Sequence, residues 1–228
     1  AHEAVGSALA YSKRKVQEYI KEPTPMPISV EKNWQNVRNY LVNERKLNPY
    51  TVDFLHKNDK IYADSMNNVC FRYGKNGVEK RGTKKNTIWR GFNGQKKDGF
   101  CLSSNANANG VIFVESAIDA ISFFELKDTQ DELKQYKNYN VIAVGGIGTN
   151  TVLELSRKYE KIIIGFDNDD RAADAFNKIK LELKEFSSSR NKPLERLKPT
   201  KHKDWNDYLI QEKSLNVKDK TEIQENKE

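Results

Sequence analysis

From residue 110 onward the apolar positions come in short continuous blocks, each followed by a stretch with helical spacing. Val111-Ile112-Phe113-Val114 opens the series, and blocks over 140–144 and 161–167 continue it. Continuous runs of this length predict strands buried on both faces. Helices are predicted over 117–127, 149–158 and 170–186, then a weaker strand near 194–197 and a helix over 204–212. Strands separated by helices predict a mostly parallel sheet with helices packed on it.

The first half of the chain reads differently. Val5, Ala8, Tyr11 and Ile20 predict a helix over 1–21, stopped by the alternate prolines Pro23, Pro25 and Pro27. Ser29 is placed to cap a second helix, with Val30, Trp34, Val37 and Leu41 at helical spacing to about residue 43. Asn48-Pro49 starts a third, short helix carrying Val52, Phe54 and Leu55. Strands are predicted over 61–63 and 69–73, hairpin chemistry at Lys75-Asn76-Gly77, and a further strand over 89–92. The small polar run 103–110 marks a boundary. The organisation expected is therefore a helix and proline-rich linker over 1–28, a basic α+β domain over 29–105, an α/β domain over 110–212 and a charged, frayed tail over 213–228.

Charge sharpens this picture. The chain of 228 residues has a net charge of +7, and residues 57–97 alone carry eleven lysines and arginines against three acids, a net of +8. Basic charge gathered in one region is the footprint of a polyanion partner, although a lysine-rich surface gives the same count. Aromatic residues lie among these cations, Tyr62, Phe71, Tyr73, Trp89 and Phe92, and could stack single-stranded bases or fill a core. The two cysteines, Cys70 and Cys101, form no metal or disulfide pattern and fit a reducing, cytoplasmic setting. No zinc site and no membrane span are expected. The chain begins at Ala1 without a methionine, as a processed form or a fragment would.

The chemistry concentrates in acids at strand ends. Glu115 closes the first apolar block, where a carboxylate meets the crevice at the carboxyl edge of a parallel sheet. It could act as a general acid or base, or simply favour a helix N-terminus. Asp167 and Asp169 close the block Ile162-Ile163-Ile164-Gly165-Phe166 and, two apart, could share one hard cation such as Mg²⁺. Asp170 is placed to cap the helix that follows. Gly145-Gly146-Ile147-Gly148 joins a strand to a helix, as a phosphate cradle or an ordinary tight turn would. Asp204, in Lys201-His202-Lys203-Asp204-Trp205-Asn206-Asp207, could add a metal oxygen, with Lys201 and Lys203 meeting phosphates and Trp205 packing.

The order of these motifs resembles the TOPRIM domain, the catalytic module shared by bacterial-type primases, topoisomerases and some nucleases. Upstream, Asn-Val-Cys-Phe-Arg72, Arg81-Gly-Thr, Trp-Arg-Gly91-Phe and Lys-Asp-Gly-Phe-Cys-Leu102 resemble the region that precedes TOPRIM in primase-like proteins of plasmids and conjugative elements. The resemblance implies a Rossmann-like sheet flanked by helices, Glu115 as general acid/base, and Mg²⁺, with Mn²⁺ able to substitute, on Asp167, Asp169 and Asp204. Asn206 stands where a second aspartate is common, which puts a full outer metal site in doubt. Phosphate or DNA contacts fall on Arg72, Arg81, Lys84, Lys85, Arg90, Gly145, Gly146, Lys201 and Lys203. The implied activity is Mg²⁺-dependent nucleotidyl transfer on single-stranded DNA, with nucleotides and a helicase, relaxase or replication initiator as partners. A TOPRIM nuclease and a non-catalytic DNA-binding module are the alternatives. Ligands for the zinc ribbon usual in replicative primases are lacking, and the helical subdomain that usually follows TOPRIM is absent or very short.

Overall fold

The computed structural model describes residues 25–85, 89–103, 107–186, 193–199 and 201–225. The helix expected over 1–21 lies outside them. In the first half, a 3-10 turn at Glu31–Asn33 runs into α1 (Trp34–Asn39), which widens into a π turn at Tyr40–Glu44. Val30, not Ser29, precedes the first turn, and no side chain caps it. The helix α2 (Pro49–Lys57) starts as expected, with the Asn48 side chain accepting from the Tyr50 N–H and Pro49 at the first helical position.

Four strands follow in an antiparallel sheet, in the order β1 (Ile61–Ala63), β2 (Val69–Tyr73), β3 (Gly77–Arg81) and β4 (Arg90–Gly94). Gly74, at φ 62°, turns the chain between β2 and β3. Alternation splits this sheet cleanly. Val69, Phe71 and Tyr73 enter the main core, while Tyr62, Cys70 and Val78 form a small cluster on the other face.

The second sheet has the order β5 (Phe100–Leu102), β7 (Asn140–Ala143), β6 (Gly110–Val114), β8 (Lys161–Ile164) and β9 (Leu194–Arg196). β6, β7, β8 and β9 run parallel, as the sequence predicted, and β5 is antiparallel to β7. Helices α3 (Ala117–Thr129), α4 (Thr149–Ser156), α5 (Asp170–Phe186) and α6 (Trp205–Glu225) alternate with these strands. The last helix runs well past residue 212, through most of the stretch read as a frayed tail.

All five residues of β6 are buried. Ile112 and Val114 join the core shared with the antiparallel sheet, and Val111 and Phe113 join a second core with α5 residues Ala172, Ala175 and Ile179. Phe71 and Tyr73 meet Phe100 at ring centroids 5.7 and 6.2 Å apart, so the two sheets share one apolar seam. That seam fixes the antiparallel sheet's inner face against the carboxyl end of the parallel strands.

Candidate active site

β6 and β8 are parallel neighbours, with Phe113 opposite Ile164, so the residues just beyond them emerge side by side. These are Glu115 and Asp167, and the Asp167 N–H donates to Glu115 Oε1 at 3.3 Å. Next to them the chain turns through Gly145 and Gly146 at φ 73° and 98°. The Gly146 N–H donates to the Glu115 carbonyl at 2.8 Å, so that donor serves the turn. A Cβ on Gly146 would meet nothing within 4 Å, whereas one on Gly145 would press on Lys96 and Phe92 at 3.2 Å. The glycines let the main chain come close to the cleft, and the turn itself is held by Glu115.

Asn168 supplies the connection that brings in Asp204. Its N–H donates to the Lys203 carbonyl at 2.8 Å, and its amide reaches the Pro199 and His202 carbonyls at 3.4 Å. Asp204 itself caps α6, with Oδ1 accepting from the Asp207 N–H at 2.8 Å. Trp205 packs as expected. It is 1% exposed, donates Nε1–H to the Gly165 carbonyl at 2.7 Å and meets Phe123 edge-on.

Between the two sheets lies a cleft of about 380 Å³. Its lining brings the acids Glu79, Glu115, Asp119, Asp167, Asp204 and Asp207 together with the bases Arg45, Arg81, Arg90, Lys96 and Lys203. Asp169 does not line it. That residue is exposed, and its Oδ1 caps α5 by accepting from the Ala172 N–H at 2.8 Å, the part the sequence assigned to Asp170. Asp169 still lies near enough for its charge to raise the Glu115 and Asp167 carboxyls.

The basic residues divide. Arg81 and Arg90 are direct cross-strand partners on the inner face of the antiparallel sheet and both line the cleft. Arg81 is 8% exposed, and its Nε is buried with no hydrogen-bond partner. Arg72 is on the opposite face, 4.5 Å above the Tyr62 ring. Lys84, Lys85 and Lys201 are exposed and do not line the cleft. Arg45 and Lys96 were not singled out by sequence. Arg45 is delivered by the π turn and bonds the Tyr40 hydroxyl and Asn206 Oδ1, while Lys96 lies over Phe92 and donates to the Gly145 carbonyl.

Burial raises the carboxyls of Glu115, Asp119 and Asp167 above their usual range, and neighbouring carboxylates raise them further. Asp119 is 6% exposed, accepts from the Ser116 hydroxyl while its own N–H donates to Ser116 Oγ at 3.3 Å, and feels Asp204 as its main charged neighbour. The sequence signal for it was the capping spacing Ser116-Ala117-Ile118-Asp119 just after Glu115. Asp167 Oδ1 is buried and has no partner. An orphaned carboxylate oxygen amid mutually repelling acids is the environment a hard divalent cation relieves, so the donor set fits Mg²⁺. Among the described residues, no three such groups are already gathered in chelating geometry.

Asn206, at the position where a second aspartate is common, is 2% exposed and structural here. Its amide donates to the Arg45 carbonyl at 2.8 Å and to Ser122 Oγ at 3.0 Å, which a carboxylate cannot do.

Comparison with known proteins agrees with this fold. Residues 112–209 match the family described as Toprim-like, and residues 39–107 match a protein family of unknown function, DUF3991. The uncharacterized protein pXO2-78 of Bacillus anthracis is 29% identical over 140 residues, 52% of this chain and 40% of that protein. The matched stretch thus spans two fifths of that relative's length. The primase fragment of the bacteriophage T7 primase-helicase protein superposes with a TM-score of 0.52 at 15% identity, covering 91% of this chain and 84% of the fragment. The DnaG catalytic core superposes with a TM-score of 0.51, also at 15% identity, covering 82% and 72%. The chain therefore carries a Toprim-like domain preceded by a DUF3991 domain, on a fold shared with primase catalytic cores.

Proposed function

We propose that the chain is a Mg²⁺-dependent, primase-like nucleotidyltransferase of a mobile genetic element that acts on single-stranded DNA in the cleft between its two sheets. The observation that carries this reading is the lining of the cleft, which gathers the strand-end carboxylates Glu115 and Asp167 with Arg81 and Arg90. The fold shared with two primase catalytic fragments supports it. The mobile-element setting rests on the sequence resemblance, and a helicase, relaxase or replication initiator is the partner class that setting implies.

In this reading Arg81 and Arg90 hold phosphate oxygens, with Lys203 and the exposed Lys84, Lys85 and Lys201 extending the basic surface along the strand. Glu115, raised by burial, is suited to take the proton of an attacking hydroxyl. Asp167 and Asp204, joined by Asp119, would hold Mg²⁺, with the exposed Asp169 contributing its free oxygen. Bound there, the metal would supply positive charge against the negative charge that builds during phosphoryl transfer. The open side of Gly146 leaves room for phosphates beside these acids.

A priming assay on a random single-stranded template with ribonucleotides and Mg²⁺ tests the proposal. Primer products are expected from the native chain, and Glu115→Gln or Asp167→Ala should lower their yield at least a hundredfold while circular dichroism stays unchanged. Cleavage of the labelled template without added nucleotides would replace this reading with a nuclease. Salt-sensitive binding in EDTA, with no turnover when metal is supplied, would replace it with a binding module.

A further inference from the structure

Glu79 was not singled out by sequence and is not used by the mechanism above. It is the one acid among the inward-facing strand residues of the antiparallel sheet, and it is 7% exposed. Strand alternation puts it on the same face as Arg81, two residues on, and its cross-strand neighbours are Phe71 and Phe92. One oxygen, Oε2, accepts from the Tyr73 hydroxyl and from the Ala117 N–H at 3.0 Å. Ala117 is the first residue of α3, two positions after Glu115. The carboxylate thus belongs to one sheet and docks on the helix N-terminus that belongs to the other.

Two unfavourable placements meet here. Arg81 and Arg90 are like charges directly opposite each other, which destabilises a sheet. A carboxylate buried alone is costly as well. The charges of Arg81 and Arg90 favour the Glu79 carboxylate through space, without an ion pair within 4 Å, and the helix N-terminus adds a favourable field for the anion. A plain apolar residue would fill the same volume at less desolvation cost, but it could neither offset the charge of the arginine pair nor accept from the Ala117 N–H.

We propose that Glu79 is a positioning residue that ties β3, the strand bearing Arg81, to the helix turn that follows Glu115. This rests on the function proposed above for its catalytic consequence, while the coupling itself is a property of the folded chain. Glu79 acts through these neighbours, so its loss should slow turnover without weakening nucleotide capture to the same degree.

Two substitutions remove the same bond from its two ends. Glu79→Ala removes the acceptor. Ala117→Pro removes the donor at a first-turn position where proline is well tolerated, after Ser116 at φ −122° and ψ 159°, which suits a residue preceding proline. Each variant and the pair would be compared by melting midpoint, by hydrogen exchange of segment 115–121, and by steady-state priming. The expected result is that both single variants speed exchange at least fivefold over 118–121. The pair should melt no lower than the worse single variant. kcat should fall at least tenfold in each, with the nucleotide KM within threefold of native. Additive melting shifts, unchanged exchange, or a kcat within twofold of native for Glu79→Ala would overturn the inference. If the native chain makes no primers, the proposed function falls, and the melting cycle with the exchange data still decides whether Glu79 couples the two sheets.

Discussion

Asn206 shows how one amide can replace chemistry with structure. Its two donors hold the Arg45 carbonyl and Ser122, so a residue of the parallel-sheet domain anchors the π turn that delivers Arg45 to the cleft. Asn206→Asp would strand both acceptors and bury a charge beside Asp204. A loss of about 1–3 kcal/mol of unfolding free energy is expected, measured by urea titration. From the sequence this position is legible only as a departure from a motif. What the amide does depends on Arg45, 161 residues away in the chain. The same holds for Asp119 and Glu79. An acid on a helix or strand reads as solvated until the fold shows it is covered, and nothing local to either residue announces the cover. Glu115, Asp167 and Asp204 were readable because each closes an apolar block or opens a capped helix, where chain geometry alone sets direction. Asp169 followed the same logic by spacing, yet capping α5 claims one of its oxygens.

At the level of elements, the parallel strands could be read because they are continuous apolar blocks, and the helices between them because apolar positions recur there at helical spacing. β3 and β5 could not. β3, Gly-Val-Glu-Lys-Arg, breaks the apolar-in rule because its inward face turns to a polar cleft beyond Gly77, and β5 is only three residues long. A further element-level feature is Lys127 near the end of α3. It is 1% exposed, donates to the Lys137 and Tyr139 carbonyls at 3.0 and 3.3 Å, and lies 4.0 Å from the Phe124 ring centre. These contacts tie α3 to the segment leading into β7. Burial lowers its pKa from 10.5 to about 8. Between those values the unfolded chain binds the proton more strongly than the folded one, so stability rises with pH there. Below about 8 the lysine is charged in both states and its contribution is flat. The stability of the native chain relative to Lys127→Met should therefore be constant from pH 6 to 7.5 and increase towards pH 10, by urea titration at each pH.

On the scale of the whole molecule, the +8 stretch resolves into two surfaces. Arg81 and Arg90 line the cleft with the carboxylates, while Arg72 faces away with Tyr62. Total charge was legible in the sequence, but its partition was not, because it depends on which face of the antiparallel sheet the core covers. If single-stranded DNA binds in the cleft, Arg81→Ala and Arg90→Ala should each flatten the salt dependence of binding. The slope of log affinity against log salt should change by about 0.7 per lost phosphate contact. Arg72→Ala should leave that slope unchanged. Fluorescence anisotropy of a labelled oligonucleotide across a salt series reads both.

The composition of residues 103–110 invites dividing the chain there, but β5 ends at Leu102 and completes the sheet on the far side of that run. Severing the molecule at the polar run would strip one border from β7 and leave its peptide groups open to strands of other copies. The unit that can be grafted, expressed or exchanged intact therefore begins before Phe100. Any transplant of the parallel-sheet half that starts at the apparent joint would carry a raw margin prone to self-association.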